Sequence, residues 1–596
     1  MKKFLILFSI IQIFIFNNCA NAFIFHKTKP VVQNPVTTKK IVYVKTSEYP
    51  INVIDPNEIN NPLGKNYPGF RANNQLVIYT PVYGGKTGTN EFGAEVTIIN
   101  NKVIKISGMD SYIPQNGFII SGHGKAKEWI KANLFVGANA EIDFKNNKIK
   151  AYSTPESFSF QAEQKIQQVQ NTVKASKTMD IDIDTVNVYL DRANRLLDVS
   201  KELLKFENYS EAMKYAENAS MHADRAFYNA IPYKKNEFKG IWVRPTEKNE
   251  IEISRTLDEI KSTGIDNVFL ETYYQGYTIY PSAVLAKYGV KVQKDEFKGF
   301  DPLKIWIEQA HKKNMKIHVW FQTFYAGNDD LSKNKDHILS KKPEWANVQR
   351  KNIDKNIPCY SVAEHNGYFL DPANPDVQNY LYKLINEIVS KYNIDGINID
   401  YIRYPVSLAP NFSNYQESTW GYSNYARNEF KSVYNVDPAC LTPKDPLWIE
   451  WNRYKELKIN NFVYKLKNIK KLKKNIMVSA VIFPNETESS VLKSQNWKVW
   501  PQFDSIDALT PLIMASDTDF TRESLREIKT FTNGKVKVYP GIFEMFTDGK
   551  PADLLNQILT TRESGADGIV IFDYAHINKD FVTALKARVF KTPNEK

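Results

Sequence analysis

The chain has 596 residues, 42% hydrophobic and 13% aromatic, which excludes a chain disordered throughout and suggests more than one domain around a large core. Its net charge of +12 comes from dispersed lysines; in residues 465–474 they alternate with leucine and isoleucine at helical spacing, as on a solvated helix face. No zinc spacing, helix-turn-helix signal or concentrated basic stripe is present, so nucleic acid is not an expected partner.

At the N-terminus, Lys2 and Lys3, the apolar run 4–16 and Ala20-Asn21-Ala22 read as an export signal over residues 1–22, cut before Phe23. The apolar run is too short to span a bilayer comfortably, so no stable membrane span is expected after cleavage. The expected location is secreted, periplasmic or in a bacterial cell envelope. Cys19 fits lipidation poorly, with Asn17 and Asn18 before it; the mature chain keeps Cys359 and Cys440, which permit one disulfide of undetermined pairing.

Residues 23–48 are polar and read as a linker. A small β-domain over 49–152 follows, with short strand-like runs at 76–79, 93–99, 102–106, 117–120 and 139–143 between Gly, Asn and Pro turns. Over 156–232, Ile166, Val169 and Val173, then Val188, Leu190, Ala193, Leu196 and Leu197, then Ala212, Tyr215 and Ala216 recur at helical spacing, predicting a helical hairpin or bundle.

From residue 237 to 590, strand-like and helix-like runs alternate. Strands are expected at 240–244, 267–273, 316–324, 396–401, 476–483, 506–514, 536–543 and 568–574. Helices are expected at 251–262, 302–313, 375–392, 448–474, 521–532, 552–564 and 581–590, with a weak one at 491–500. Gly264, Asn314, Asn393, Asn533 and Gly565 stand where helices should stop. Eight strands in strict alternation with helices predict an α/β fold, a (β/α)8 TIM barrel preceded by the β-domain and the helical unit.

The segment Asp395-Gly396-Ile397-Asn398-Ile399-Asp400-Tyr401-Ile402-Arg403-Tyr404-Pro405 carries the sharpest signal. It is an apolar strand that delivers an acid and a base to its C-terminal end, where such barrels place their sites. With Phe269-Leu270-Glu271-Thr272-Tyr273, His318-Val319-Trp320-Phe321-Gln322, Asp371-Pro372-Ala373-Asn374-Pro375, Val481-Ile482-Phe483-Pro484-Asn485, Gln495-Asn496-Trp497 and Thr510-Pro511-Leu512-Ile513-Met514, this stretch resembles the glycosyl hydrolase-like family 10 group of secreted bacterial glycosidases. The resemblance covers about 238–586 and implies a barrel that hydrolyses glycans. Separately, the string 74–81 with Thr87-Gly88-Thr89-Asn90 and Ser121-Gly122-His123-Gly124 resembles the start of the phosphodiester glycosidase domain. It is shorter than expected of an active copy, which implies a wall- or glycan-binding accessory role, with a purely packing role as the alternative.

Glycosidic cleavage typically needs two carboxyl groups, one protonated and one ionised. The carboxylates at expected strand ends are Asp400, Glu271, Asp573 and Glu544, and Asp400 ranks first. Arg403 would hold Asp400 ionised as nucleophile or base, leaving Glu271 as proton donor, with Asp573 or Glu544 as the alternative second carboxylate. Tyr273, Tyr274, Trp320, Trp497, Trp500 and Tyr574 are candidates for stacking on sugar rings, and Gln322, Asn398 and Asn485 for binding hydroxyls. His318 alternates with apolar residues and reads first as a satisfied barrel histidine, with substrate contact second. No metal-ligand spacing, phosphate-binding glycine loop or Gly-x-Ser-x-Gly elbow is present, so no cofactor is expected. The expected function is hydrolysis of a polysaccharide, either peptidoglycan glycan or another envelope polymer; the alternative is a non-catalytic glycan-binding or scaffold protein on the same barrel.

Overall fold

A computed structural model describes residues 41–55, 74–90, 92–176, 180–355, 358–547 and 549–591. The export signal and most of the linker lie outside the described residues. Lys45–Pro50, whose first four residues the sequence reading places in the linker, is an edge strand paired antiparallel with Lys148–Ser153. It belongs to an eight-stranded sheet whose remaining strands are Val53–Ile54, Leu76–Tyr79, Ala94–Ile99, Lys102–Ser107, Gly117–Gly122 and Asn139–Asp143. Alternation along these strands buries Leu76, Ile78, Val96, Ile98 and Ile120 under the helix Lys125–Asn133, which adds Ile130.

Three helices follow: Pro155–Ala175, Ile183–Lys205 and Tyr209–Ala230. The first starts at a capping box of Thr154 and Ser157 with Pro155 in the first turn. Ala212, Ala216, Ala219 and Ala223 give the third helix a small-residue face that lets its neighbours approach closely. Its last turn does not close a separate core. Ala226, Phe227, Ala230 and Ile231 join the same apolar cluster as the barrel's outer layer.

The barrel strands are β1 (Phe238–Val243), β2 (Asn267–Tyr274), β3 (Lys316–Gln322), β4 (Gly396–Asp400), β5 (Met477–Ile482), β6 (Ala508–Ile513), β7 (Lys537–Val538 continued by Gly541–Phe543) and β8 (Gly568–Phe572). Each pairs in parallel with the next, and β8 pairs with β1 through Gly568 and Phe238, so the sheet is closed. The expected TIM barrel is the fold.

Outer helices run at Glu250–Ser262, Pro302–Lys312, Pro375–Lys391, Leu447–Lys465, Thr518–Thr532, Pro551–Glu563 and Lys579–Ala584. Asn249, Asp301, Asn374 and Asp517 cap their N-termini through side-chain oxygens. Asn314 (φ 54) and Asn533 (φ 45) take the expected left-handed stop, as do Gly264 and Gly565, but the helix before β4 ends in extended Tyr392 and Asn393 is not left-handed. The helix expected at 448–474 breaks at Leu466, and the weak one at 491–500 is a single wide turn at Thr487–Val491 and a tight one at Trp497–Gln502. Cys359 and Cys440 are both free thiols.

Candidate active site

Inward-facing residues alternate along each strand and stack in layers. In the lowest layer Phe238 stacks on Tyr539 (4.2 Å) and Phe269 on His318 (4.9 Å). Above it, Trp242 Nε1 donates to Asn398 Oδ1 (3.2 Å), and Asn398 Nδ2 donates to Ser479 Oγ (2.9 Å) and Thr510 Oγ1 (3.2 Å). The uppermost layer, at the C-terminal ends of the strands, carries Arg244, Glu271, Gln322, Asp400 and Phe572.

Two side chains of β3 hold a carboxylate on either side of it. Trp320 Nε1 donates to Asp400 Oδ2 on β4 at 2.9 Å, and Gln322 Nε2 donates to Glu271 Oε1 on β2 at 2.8 Å. With one strand between them, the backbones of Glu271 and Asp400 are about 10 Å apart, and both side chains converge on the barrel axis. Asp400 Oδ1 also accepts from the Tyr401 N–H at 2.6 Å. Tyr401 has φ 49, a left-handed strain for a bulky residue directly beside the candidate group.

On the other flank, Arg244 Nε lies 3.5 Å from Glu271 Oε2 and 3.9 Å from Asp573 Oδ2. Those two oxygens are therefore at most about 7.4 Å apart, so they are no farther apart than the upper limit for paired glycosidase carboxyls, about 9.5 Å. The guanidinium also lies over the rings of Trp320 (5.5 Å) and Phe572 (5.3 Å). Asp573 Oδ1 is bound by His576 Nδ1 at 2.5 Å, while its buried Oδ2 accepts no hydrogen bond.

Burial sets the protonation. Glu271 is 3% exposed, and desolvation raises its carboxyl to about 7, against the opposing pull of Arg244 and Lys294. Asp400 keeps partial access to solvent. Its pKa is also raised, first by burial, with the indole and the Tyr401 N–H acting the other way. Glu544, in the turn after β7, is buried and raised by desolvation.

Several candidates stand elsewhere. Arg403 does not orient Asp400: its buried guanidinium makes a two-pronged pair with half-buried Glu364 (2.7 and 3.1 Å), because the loop after β3 folds back over the loop after β4. Tyr273 shares the parity of Glu271, but the register of β2 against β3 shifts between them. That bulge turns Tyr273 outward, where it stacks on Phe321 (4.5 Å) and is fully buried. Asn398 is fully buried and spends its amide bracing the layer below the mouth.

His318 lies two residues below Trp320. Its Nε2 donates to Asn267 Oδ1 at 3.0 Å, and burial holds the ring neutral, its pKa lowered to about 4; a Cβ at Gly396 would collide with its Nδ1. Trp497 and Trp500 are fully buried in the outer core, donating to Phe483 O (2.9 Å) and Asn460 Oδ1 (2.7 Å). Tyr574 directs its hydroxyl to Glu259 at 2.7 Å, on the helix after β1. Asn485 is exposed in the loop after β5, where its Oδ1 accepts from the Glu488 N–H. Of the proposed stacking and hydroxyl-binding residues, Trp320 and Gln322 therefore reach the carboxylates directly.

Arg244 and His576 were missed. Arg244 was legible by the rule that picked out Asp400, since it follows Trp242 by two at a strand end; its partners lie on β2 and after β8, which strand parity cannot reveal. Among the described residues, no group of His, Cys, Asp and Glu could hold a metal ion. Beside the mouth, the loops after β3 and β4 enclose a groove of about 650 Å³ lined by Tyr360, Tyr368, Asn352, Asn414 and Glu417.

A family model for glycosyl hydrolase-like 10 matches residues 237–547, just over half of the chain and all of β1 to β7. The chain belongs to the glycosyl hydrolase-like 10 family. Among proteins similar to it, glycosyl hydrolase YngK of Bacillus subtilis is 27% identical over 231 residues, 35% of this chain and 41% of that protein. Glycosyl hydrolase DigH of Escherichia coli K12 is 28% identical over 155 residues, 25% of this chain and 34% of that protein. The matches thus span about two fifths and one third of these relatives. Among solved structures, the catalytic domain of β-amylase from Paenibacillus polymyxa is similar with a TM-score of 0.41 and 12% identity, over 60% of this chain and 98% of that domain. Glu271, Arg244, Trp320, Gln322 and Asp400 all lie in the stretch that places the chain in glycosyl hydrolase-like 10; Asp573 and His576 lie beyond it.

Proposed function

We propose that this protein is an exported glycoside hydrolase that cleaves O-glycosidic bonds of a polysaccharide, either peptidoglycan glycan or another envelope polymer. Membership of a glycosyl hydrolase-like family supports the reaction class and a glycan substrate. The observation that carries the mechanism is the grip of β3 on two carboxylates of unlike surroundings. Glu271, nearly sealed from water and protonated up to about pH 7, is the proton donor to the departing glycosidic oxygen. Asp400, partly accessible to solvent and held by two N–H donors that favour its charged form against burial, is the carboxylate assigned to act ionised. Arg244, anchored by Asp573, keeps Glu271 from rising further and lies beside the site of developing charge. Export rests on Lys2, Lys3, the apolar run and Ala20-Asn21-Ala22. Among the described residues, no helix is long and apolar enough to cross a membrane.

The test is product analysis with purified peptidoglycan glycan strands and envelope polysaccharides, wild type beside Asp400→Asn. The variant keeps the shape and loses the charge, and turnover should fall by about two to four orders of magnitude while glycan binding persists. Near-full turnover by Asp400→Asn would remove Asp400 from the mechanism. Binding without any turnover by the wild type would leave a glycan-binding protein. Sequencing the mature N-terminus tests export, with Phe23 as the expected first residue.

A further inference from the structure

The N-terminal sheet is seated on the C-terminal face of the barrel, the face that holds the carboxylates. Lys105 pairs with Asp517 (3.5 Å) and Lys86 with Glu523 (3.8 Å), both after β6. Gly108 packs so closely that an added Cβ would lie 2.7 Å from Ser516 Oγ. From the mouth toward this sheet runs an unbroken series of rings. Trp320, which binds Asp400, is 5.9 Å from Phe572; Phe572 stacks on Phe543 at 4.5 Å; Phe543 is 6.1 Å from Phe546; and Phe546 is 6.3 Å from Phe92, in the turn before the N-terminal sheet's strand Ala94–Ile99.

The two ends of the series differ in exposure, 3% at Trp320 and 59% at Phe92, with Phe543 buried between half-buried Phe572 and Phe546. Polar side chains hold the Phe92 backbone: Asn90 Oδ1 accepts from the Phe92 N–H (3.2 Å) and from His123 Nε2 (2.7 Å), and Lys127 Nζ donates to Phe92 O (3.0 Å). An exposed aromatic ring on a turn that also carries an amide, an imidazole and an ammonium offers the chemistry that takes a sugar, whose C–H face packs on a ring while its hydroxyls meet polar side chains.

We propose that Phe92 is a distal sugar-binding platform of the same cleft, so that the substrate is a glycan chain several sugars long, reaching from the barrel mouth over the turn after β7 onto the N-terminal sheet. This rests on the hydrolase reading for its near end only. It gives the N-terminal sheet a role in substrate length selection and explains why its seating on the strand-6 and strand-7 loops is tied by charge and close packing.

Affinity electrophoresis of the full mature chain tests it, through gels holding soluble, peptide-free peptidoglycan glycan strands or, separately, a neutral and an anionic exopolysaccharide. At least one polymer should retard the wild type. For that polymer Phe92→Ala should weaken binding roughly tenfold, the loss of one aromatic packing surface, and Phe92→Trp should restore it. The deficit should grow with chain length, from disaccharide to polymer. Phe144→Ala, removing a comparably exposed ring of the same sheet (65%), should change nothing. Equal polymer binding by Phe92→Ala and wild type, or no retardation of the wild type by any polymer, overturns the proposal. Turnover separates the two readings: Phe92-dependent binding without product formation sinks the hydrolase and leaves the platform, whereas normal turnover with Phe92-independent binding sinks the platform alone.

Discussion

Replacing Glu271 by glutamine should make the protein a worse catalyst and a more stable fold in alkaline solution. The isosteric amide keeps the contact with Gln322 and removes the ionisable group. In the folded chain the carboxyl is raised from its ordinary 4.5 to about 7, principally by burial. The sign follows from linkage: the unfolded chain releases this proton first, so the stability contributed by the neutral form is complete below the unfolded pKa and drains away as pH rises through about 7. At about 1.4 kcal/mol per tenfold change in proton affinity, the loss approaches about 3 kcal/mol on the alkaline side. Other titrating groups, such as buried Glu95, are common to both proteins and cancel in the difference. The assay is denaturant unfolding of wild type and Glu271→Gln from pH 4 to pH 9. The variant's advantage should be small at acid pH and grow by about 3 kcal/mol by pH 8–9, with turnover down by about two to four orders of magnitude throughout. Parallel stability curves with no pH-dependent gap would refute a buried, protonated Glu271, and with it the proton donor.

Trp320→Phe keeps the ring and deletes the N–H that favours ionised Asp400, so the acid limb of the pH–rate profile should move to higher pH and turnover should drop by about tenfold or more. Arg244→Gln removes a cation that holds the Glu271 pKa down; the alkaline limb should shift upward, as read from the same profile. Glu364→Gln leaves the Arg403 charge buried and half-paired, which should cost about 3–5 kcal/mol in denaturant unfolding.

Local pattern determined most of the fold. The apolar runs that become β1 to β8 and the helical periodicity between them are properties of consecutive residues, as are the left-handed stops at Asn314 and Asn533. Strand parity likewise put Glu271 and Asp400 at strand ends facing inward, because side-chain direction alternates with a period fixed by the backbone. The tertiary structure decided everything that depends on which strands become neighbours and how loops return. Closure of β8 on β1 brings Asp573 within reach of Arg244, although 328 residues of chain separate β1 from the end of β8 in the sequence. The bulge between Glu271 and Tyr273 reverses the tyrosine with no marker in the sequence around it, since a bulge is set by the strain of the closed sheet. Arg403 and Asp400 are three residues apart, yet the guanidinium goes to Glu364, because a long loop offered a carboxylate with two oxygens in line while Asp400 was already held by the Trp320 indole. Proximity along the chain selects candidates; the cross-strand and cross-loop contacts that set charge and exposure exist only after the barrel has closed.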